Sequence, residues 1–513
     1  MRALIKQTVL KAIPFRHVES PYFAEIAKYK TSATHLLREM HKYADLIKRH
    51  QFWQYQKKKV YASMIIDGLT TAAGEHIYGF IIKTRHHIHF VDVASTETSQ
   101  TAEWLAAIVK EKIEMLKNKY NIDVVSVSMD NASVCNKTID YLNGKVEDAP
   151  FEVVQNTQLD NNKQVLKLPC LAHSLCLCLR KYIDHFNTKG WVDAIAKANK
   201  IKAQYCETRW TSMNNSINKI KKFFPPLDQV SQQHQTHWEH IYQDSEIIRI
   251  FTHAVQTVEG DFVDLLKVKR TVDNIIEQLR AIKNMEGNQP SRVTFMLDIL
   301  EERQEKSMSS HYQIADFLQV LDPQSPDTFQ EFREKCMSTG LLMNNQYLKG
   351  GALELYKQRN TRIMVERAIV IGTKLGNKFD NYIHYLEHVW QDNPMIMDFL
   401  QQVAVLASSS ASIERVFSFF HRQTSYFLRR AISSATLSSM AYIYIEEILE
   451  EMHQWDGKNY IRSGLDKFLY DEIDLLPDLQ EEQEEHAQNE QAEEENNMNE
   501  ESDWIHGDFQ PDE

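Results

Sequence analysis

The sequence predicts an α/β fold: a sheet flanked by helices, a large all-α insertion late in the chain, an N-terminal helical segment and a disordered acidic tail. Three observations point there. Residues 60–142 read as strand, strand, strand, helix, strand, helix, an order that builds an α/β layer. From about Trp191 to Gln401 strand patterns are scarce and helical periodicity dominates. From Asp471 to Glu513 there are 18 acidic residues and no Lys or Arg, a composition that cannot bury enough apolar surface to fold.

Taken in order, Met1–His50 is amphipathic with helical spacing, punctuated by Pro14 and Pro21 before a long run from Thr31 to His50. Val60–Asp67, Ile77–Thr84 and His87–Ala94 are rich in Ile, Val, Tyr and Phe and separated by turn residues, which predicts three strands. Thr101–Tyr120 has helical periodicity, followed by a strand over Val124–Met129 and a helix over Ser133–Leu142. Glu147–Lys163, rich in Asn, Gln and Asp, reads as an exposed loop, and Leu166–Tyr182 as a short strand leading into a helix. Within the insertion, Ser245–Val258 and Phe262–Lys283 are the clearest helices; beyond it, helices start near Ser412 and span Ala435–Met452. The expected divisions are 1–55 for the N-terminal helices, 56–188 for the first part of the core and 189–401 for the insertion. Residues 402–452 then complete the core, and 453–513 form the tail.

Composition bounds the function. A length of 513 residues allows two or more domains, and no apolar run approaches the roughly 18–20 residues of a membrane span. Lys6 and Lys11 interrupt the apolar start, which therefore reads poorly as a signal peptide, and six scattered cysteines suit reduced thiols and an intracellular address. The net charge of −13 conceals an asymmetry: without the tail, 58 basic residues face 53 acidic ones. A mildly basic body is compatible with a nucleic-acid partner without demanding one.

Three carboxylates carry the chemistry. Asp67 and Asp130 each end an apolar strand, and a crossover connection lets those strands lie side by side and parallel, so that both acids reach one sheet edge. Glu414 opens a helix after the insertion. Two acids on strand tips and a third on a distant helix form the layout of a two-metal phosphodiester-cleaving site, with hard oxygen ligands for two Mg²⁺ ions and Mn²⁺ able to substitute. Taken singly, either Asp reads as a strand-end turn or helix cap and Glu414 as a solvated acid in a first helical turn; the joint pattern reverses those readings. Cys170 and His173 have the spacing of half a zinc site, but no second pair stands at usual spacing, and Cys176 and Cys178 on the following helix are only loosely suggestive. A structural role for Cys170, and a hydrogen-bonded His173 near the carboxylates, is the expected arrangement.

Five strings in order, MIIDGLT around Asp67, SMDNAS around Asp130, CLAHSL from Cys170, ETRWTS around Trp210 and SSASIERVFS around Glu414, resemble the hAT superfamily of DNA transposases over roughly Pro14–Ile448. The resemblance implies an RNase H-like catalytic core interrupted by the helical insertion, with Asp67, Asp130 and Glu414 as its catalytic, metal-binding triad. It also implies double-stranded DNA as substrate, strand cleavage with hairpin formation, strand transfer to target DNA and a nuclear location. Arg209 and Trp210 match the family's RW motif, in which the Trp stacks on an extruded base, a contact worth about 1–3 kcal/mol per base, and a neighbouring Arg can grip phosphate. Without the resemblance a Trp there reads as core.

The segment from Glu414 to Ile448, with Val416, Phe417, Phe419, Phe420, Leu437, Met440, Tyr442 and Ile443, matches the family's dimerisation region, implying self-association as well as packing on the sheet. Arg422, Arg429 and Arg430 contact phosphate or solvate a helix face, and Trp504, Ile505 and Phe509 in the tail dock a partner or are simply solvated. The chain departs from the family at Cys176 (usually Asn), Leu69 (usually Trp) and Ile413 (usually Ser), none of them a metal ligand. The family's N-terminal BED-type zinc finger is not recognisable, with no Cys-x-x-Cys followed by a His pair; the chain opens in a helical segment in which IPFRHVESPYF resembles the family's PF-x-x-VE-x-P-x-F string. It is therefore truncated, a domesticated derivative, or a reader of DNA with another surface. The rival readings are a non-catalytic DNA- or protein-binding dimer acting as a nuclear regulator, and an unrelated RNase H-like nuclease.

Overall fold

The computed structural model describes residues 2–10, 32–53, 55–70, 75–96, 101–130, 132–146, 151–159, 164–190, 192–193, 217, 232–260, 262–283, 290–375, 382–425 and 433–454. Residues Met1–Ile448 form one compact unit and Leu449–Glu513 a second. The chain begins with α1 (Arg2–Leu10) and α2 (Ala33–Trp53), then forms β1 (Val60–Thr70), β2 (His76–Lys83), β3 (Ile88–Thr96), α3 (Ala102–Tyr120) and β4 (Ile122–Met129). Next come α4 (Ser133–Leu142), α5 (Phe151–Thr157), β5 (Leu166–Pro169) and α6 (Leu171–His185). The following segment has helices as its regular structure, joined by turns, with no strand among its described residues. It runs through α7 (Gln232–Val258), α8 (Leu265–Lys283), α9 (Pro290–Arg303), α10 (Ser309–Val320) and α11 (Phe329–Leu342). It continues with α12 (Gln346–Gly350), α13 (Ala352–Arg359), α14 (Arg362–Leu375), α15 (Tyr382–Val389) and α16 (Pro394–Ala404) before α17 (Ala411–Ser425) and α18 (Ser434–Gln454). The fold is thus mixed α/β and mostly helical. No helix among the described residues is long and apolar enough to cross a membrane.

The sheet order is β3-β2-β1-β4-β5, with β1, β2 and β3 successively antiparallel and β4 parallel to both β1 and β5. The crossover helix α3 makes the parallel pairing possible. Its N-terminus is capped by the Thr101 side chain, which accepts from the Trp104 N–H at 3.2 Å. Asn121 ends it in the left-handed conformation, φ 57°, and lets the chain turn straight into β4.

β1 is buried continuously from Tyr61 to Ile66, as a strand covered on both faces must be. On one face Ala62, Met64 and Ile66 pack with Leu105, Val109 and Ile113 of α3. The other face receives α17, whose Ile413, Val416, Phe417, Phe419 and Phe420 are all buried. α18 is anchored to the N-terminal helix and to β3: His41 Nδ1 lies 2.7 Å from Ser439 Oγ, Gln51 Nε2 donates to Glu446 at 3.0 Å, and the Tyr442 hydroxyl donates to the Val91 carbonyl. Every apolar residue named above for sheet packing or dimerisation is therefore consumed inside the chain.

Two local expectations change. β1 runs three residues past Asp67, because Gly68, Leu69 and Thr70 keep pairing with Tyr78, Ile77 and His76 after the ladder to β4 has ended at Ile65–Ser128. The expected loop over 147–163 contains α5. Its polar composition hid a short helix held to the core by Lys110 Nζ, which donates to the Gln155 carbonyl at 2.9 Å, and by the Leu159 N–H, which donates to Leu142.

Insertion and sheet share a core. Leu166 and Leu168 of β5 pack in one cluster with Phe317, Trp390, Phe399 and Leu406. Lys83 Nζ donates to the Leu406 carbonyl at 3.0 Å, and both terminal nitrogens of the Arg85 guanidinium donate to Glu387. Inside the insertion, the fully buried Asp244 accepts from Tyr182 and Thr188 hydroxyls, both at 2.6 Å, and from Arg292. Asp244→Ala removes the buried carboxylate to which that guanidinium donates and should lower the unfolding free energy by about 3–5 kcal/mol. Urea denaturation measures this, and an unchanged midpoint would remove the network from the list of structural determinants.

Candidate active site

The β1–β2 register places Asp67 opposite Gly79. Directly opposed residues of an antiparallel pair project to the same face. A Cβ at Gly79 would stand 2.8 Å from both Ile413 Cδ1 and Phe417 Cε1. The missing side chain is what lets α17 lie against β2, one residue from Glu414 and on the face that carries Asp67. Across the other edge of β1, Ile65 pairs with Ser128 as the last pair of that ladder, and Asp67 and Asp130 each stand two residues further along their chains, just past its end. Strand alternation, a glycine and a helix thus bring the three acids to one end of the sheet.

Cys170, at the start of α6, ties Glu414 to this end. Its N–H donates to the Met129 carbonyl at 3.0 Å, extending the β4–β5 ladder beside Asp130. Its sulfur accepts from the His173 N–H at 3.4 Å and from the Ser410 N–H at 3.2 Å. Burial pushes the Cys170 thiol up to about 12, so it keeps its proton. The Ser410 hydroxyl lies 3.2 Å from that sulfur and 3.1 Å from Glu414 Oε1. Since a hydroxyl has one proton, the consistent arrangement is thiol donating to Ser410 Oγ and Ser410 Oγ donating to Glu414. Cys170 therefore acts as a protonated structural donor, unlike a zinc thiolate. The His173 ring turns elsewhere, with Nδ1 3.5 Å from Asp130 Oδ2.

Electrostatics record the convergence. Asp67 is partly exposed, Asp130 keeps 30% of its side-chain surface and Glu414 is exposed, so the group opens to solvent at its mouth. Desolvation by the surrounding protein is nonetheless the largest influence on all three carboxyls. It raises Asp67 well above the usual carboxylate range; the charges of Asp130 and Glu414 push it further, and the Gly68 N–H, 2.8 Å from Oδ1, opposes them. Asp130 is raised by burial against the charge of His173. Glu414 is raised by burial, relieved by the Ser410 hydrogen bond, and pushed up again by Asp130. Cys135 on α4 is also within their field: burial first, then Asp130 and Asp67, push its thiol to about 12.

Three hard oxygen donors whose charges disfavour one another suit Mg²⁺ by chemistry. The Ser128 hydroxyl, one strand step below Asp130, is buried without a hydrogen-bond partner and adds polar capacity. The arrangement is looser than a finished cage: among the described residues no group of three or more His, Cys, Asp or Glu side chains is drawn together closely enough to hold a metal ion. Arg209, Trp210, Arg429, Arg430, Trp504, Ile505 and Phe509 lie outside the described residues, and Arg422 falls within α17. Sequence reading overlooked Gly79 and Ser410. Gly79 had a signal, a glycine inside the apolar run IYGFII, which marks close approach of another element.

Gly79→Val should push α17 off β2 and lower stability by about 1–3 kcal/mol, read by urea denaturation. Asp67→Asn should raise the melting temperature of the metal-free protein at neutral pH. A carboxyl raised in the folded state favours folding only while protonated, and that contribution is lost as pH climbs from the ordinary aspartate value of 3.8 through the raised one. Asn removes this loss, so the gain should vanish at acidic pH; a drop in melting temperature at neutral pH would contradict the assignment. In comparisons with known proteins, the chain matches no family model and no curated protein.

Proposed function

We propose that this chain is a hAT-type transposase or a derivative of one, acting on double-stranded DNA in the nucleus. Its reaction is metal-dependent strand cleavage with hairpin formation and transfer of the freed 3′ end to target DNA. The single observation that carries this reading is the meeting of Asp67 and Asp130 at one end of the sheet with Glu414, delivered by α17 from the far side of the insertion. The strand order β3-β2-β1-β4-β5, antiparallel then parallel, supports an RNase H-like core. Neither family nor reaction follows from fold class alone, since one architecture hosts many chemistries.

Asp67, Asp130 and Glu414 would hold two Mg²⁺ ions, which when bound supply an activated water or 3′-OH and a stabilised leaving oxygen. The protein's own part is positional and electrostatic. When ionised without cations the three acids repel a phosphodiester and one another; burial raises all three carboxyls, so ion binding should tighten as pH rises. Ser410 orients Glu414, and the His173 ring gives Asp130 a polar neighbour at 3.5 Å. Arg209 and Trp210 handle distorted DNA beside the cut. The region from Glu414 to Ile448 also serves self-association through whatever surface remains after its apolar side chains have packed inside.

One observation favours a second reading, a non-catalytic DNA- or protein-binding dimer: the carboxylates are not gathered into a ready cluster of metal ligands among the described residues. Nicking of supercoiled plasmid in Mg²⁺ or Mn²⁺ separates the two. Asp130→Asn and Glu414→Gln should each lower the rate by about 10²-fold or more, with wild-type nicking faster at alkaline than at mildly acidic pH. Equal nicking by all three proteins would sink the catalytic reading.

A further inference from the structure

The helix α15 buries Tyr382, Ile383, Tyr385, Leu386 and Val389, which holds it rigidly against the insertion core. His384 and His388 are left exposed on the same side, one helical turn apart. Their Nε2 atoms lie 3.2 Å apart, with ring centroids separated by 4.4 Å and planes inclined at 69°. At this separation the space between the two Nε2 atoms holds a single hydrogen, one ring nitrogen donating and the other presenting its lone pair. A single metal ion demands nearly the same spacing. Two Zn–N bonds of about 2.0–2.1 Å at a tetrahedral angle put the nitrogens roughly 3.3–3.4 Å apart.

The surroundings suit a ligating imidazole. His384 Nδ1 faces Glu387 Oε2 at 3.7 Å, and Glu387 is itself held by both terminal nitrogens of Arg85 from the turn after β2. A fixed carboxylate behind the outer nitrogen favours the orientation in which Nε2 is free to bind a metal.

We propose that His384 and His388 form a bidentate clip for an imidazole-preferring divalent transition metal, Cu²⁺, Ni²⁺ or Zn²⁺, with water completing the coordination. Among the described residues no third His, Cys, Asp or Glu joins them as a ligand, so the remaining positions stay open to an external donor. The clip is chemically separate from the carboxylate site, because Mg²⁺ prefers oxygen and keeps its water. The paired geometry exists only while α15 is helical. Bound metal therefore stabilises that turn and, through Glu387 and Arg85, the connection to β2.

The test is titration of the full chain with Cu²⁺, Ni²⁺ and Zn²⁺, comparing wild type with His384→Ala and His388→Ala. The chain holds 21 His, so the readout is one tight one-to-one phase above a weak background. That phase should be strongest for Cu²⁺ and absent from both variants, whose helical circular dichroism should match wild type. The electron paramagnetic resonance spectrum of bound Cu²⁺ should carry the splitting of two imidazole nitrogens in wild type. Excess Mg²⁺ should displace none of the metal. Should the variants bind as tightly as wild type, or should the Cu²⁺ spectrum report a different ligand set, the clip does not exist.

Discussion

Ser410 meets Cys170 across 240 positions of chain, its N–H donating to the sulfur and its hydroxyl oxygen lying against the same thiol. The rest of the structure depends on this closure. The Leu171 N–H donates to the Ser408 carbonyl at 2.9 Å and the Ser408 hydroxyl reaches Val258, so the insertion leaves the sheet and returns to it through one seam. Loop-closure entropy grows only slowly with length, which is why a helical insertion of this size is tolerated once its ends are joined. The seam also sets the chemistry, because the hydroxyl that completes it is the one that holds Glu414.

The sheet divides the remaining labour between its faces. One is an ordinary apolar interface with α3. The other carries serines as well as apolar groups: Ser126 donates to Ser63 at 2.7 Å in its interior, and the acids stand at its end. Gly79 and α17 close this second face. The raised carboxyls mark a place where folding and charge disagree, a disagreement that packing elsewhere must outweigh.

Much of this was legible from residues alone. The strands and α3 announced themselves by β-branched runs and by period, because both faces of the sheet are buried and α3 has one clear apolar stripe. Asp67 and Asp130 could be paired from topology, since a crossover strand has few other places to go. Glu414 could be picked out only through resemblance, since no local property of SSASIERVFS shows which strand it will face. What stayed hidden was tertiary. α5 lies in a polar stretch, and the loss of pairing to β4 while β1 continues depends on where β4 stops. Cys170 suggested a zinc half-site by spacing, yet its sulfur is occupied by Ser410 and its proton retained by burial. The apolar wealth of α17 and α18 was equally compatible with a partner surface and with a core, and inside this chain it is core.

The placement of the acids has a consequence in time. Asp67 and Asp130 emerge early in synthesis, while Glu414 follows only after the whole insertion, a delay of about 15–60 s at ordinary translation rates. Until α17 is made, the chain has neither the third carboxylate nor the Ile413 and Phe417 side chains that lie against Gly79. A nascent chain that stops anywhere in the insertion cannot assemble the full acid set. Chain order thus couples closure to arming: the same α17 that closes the slot supplies the last carboxylate.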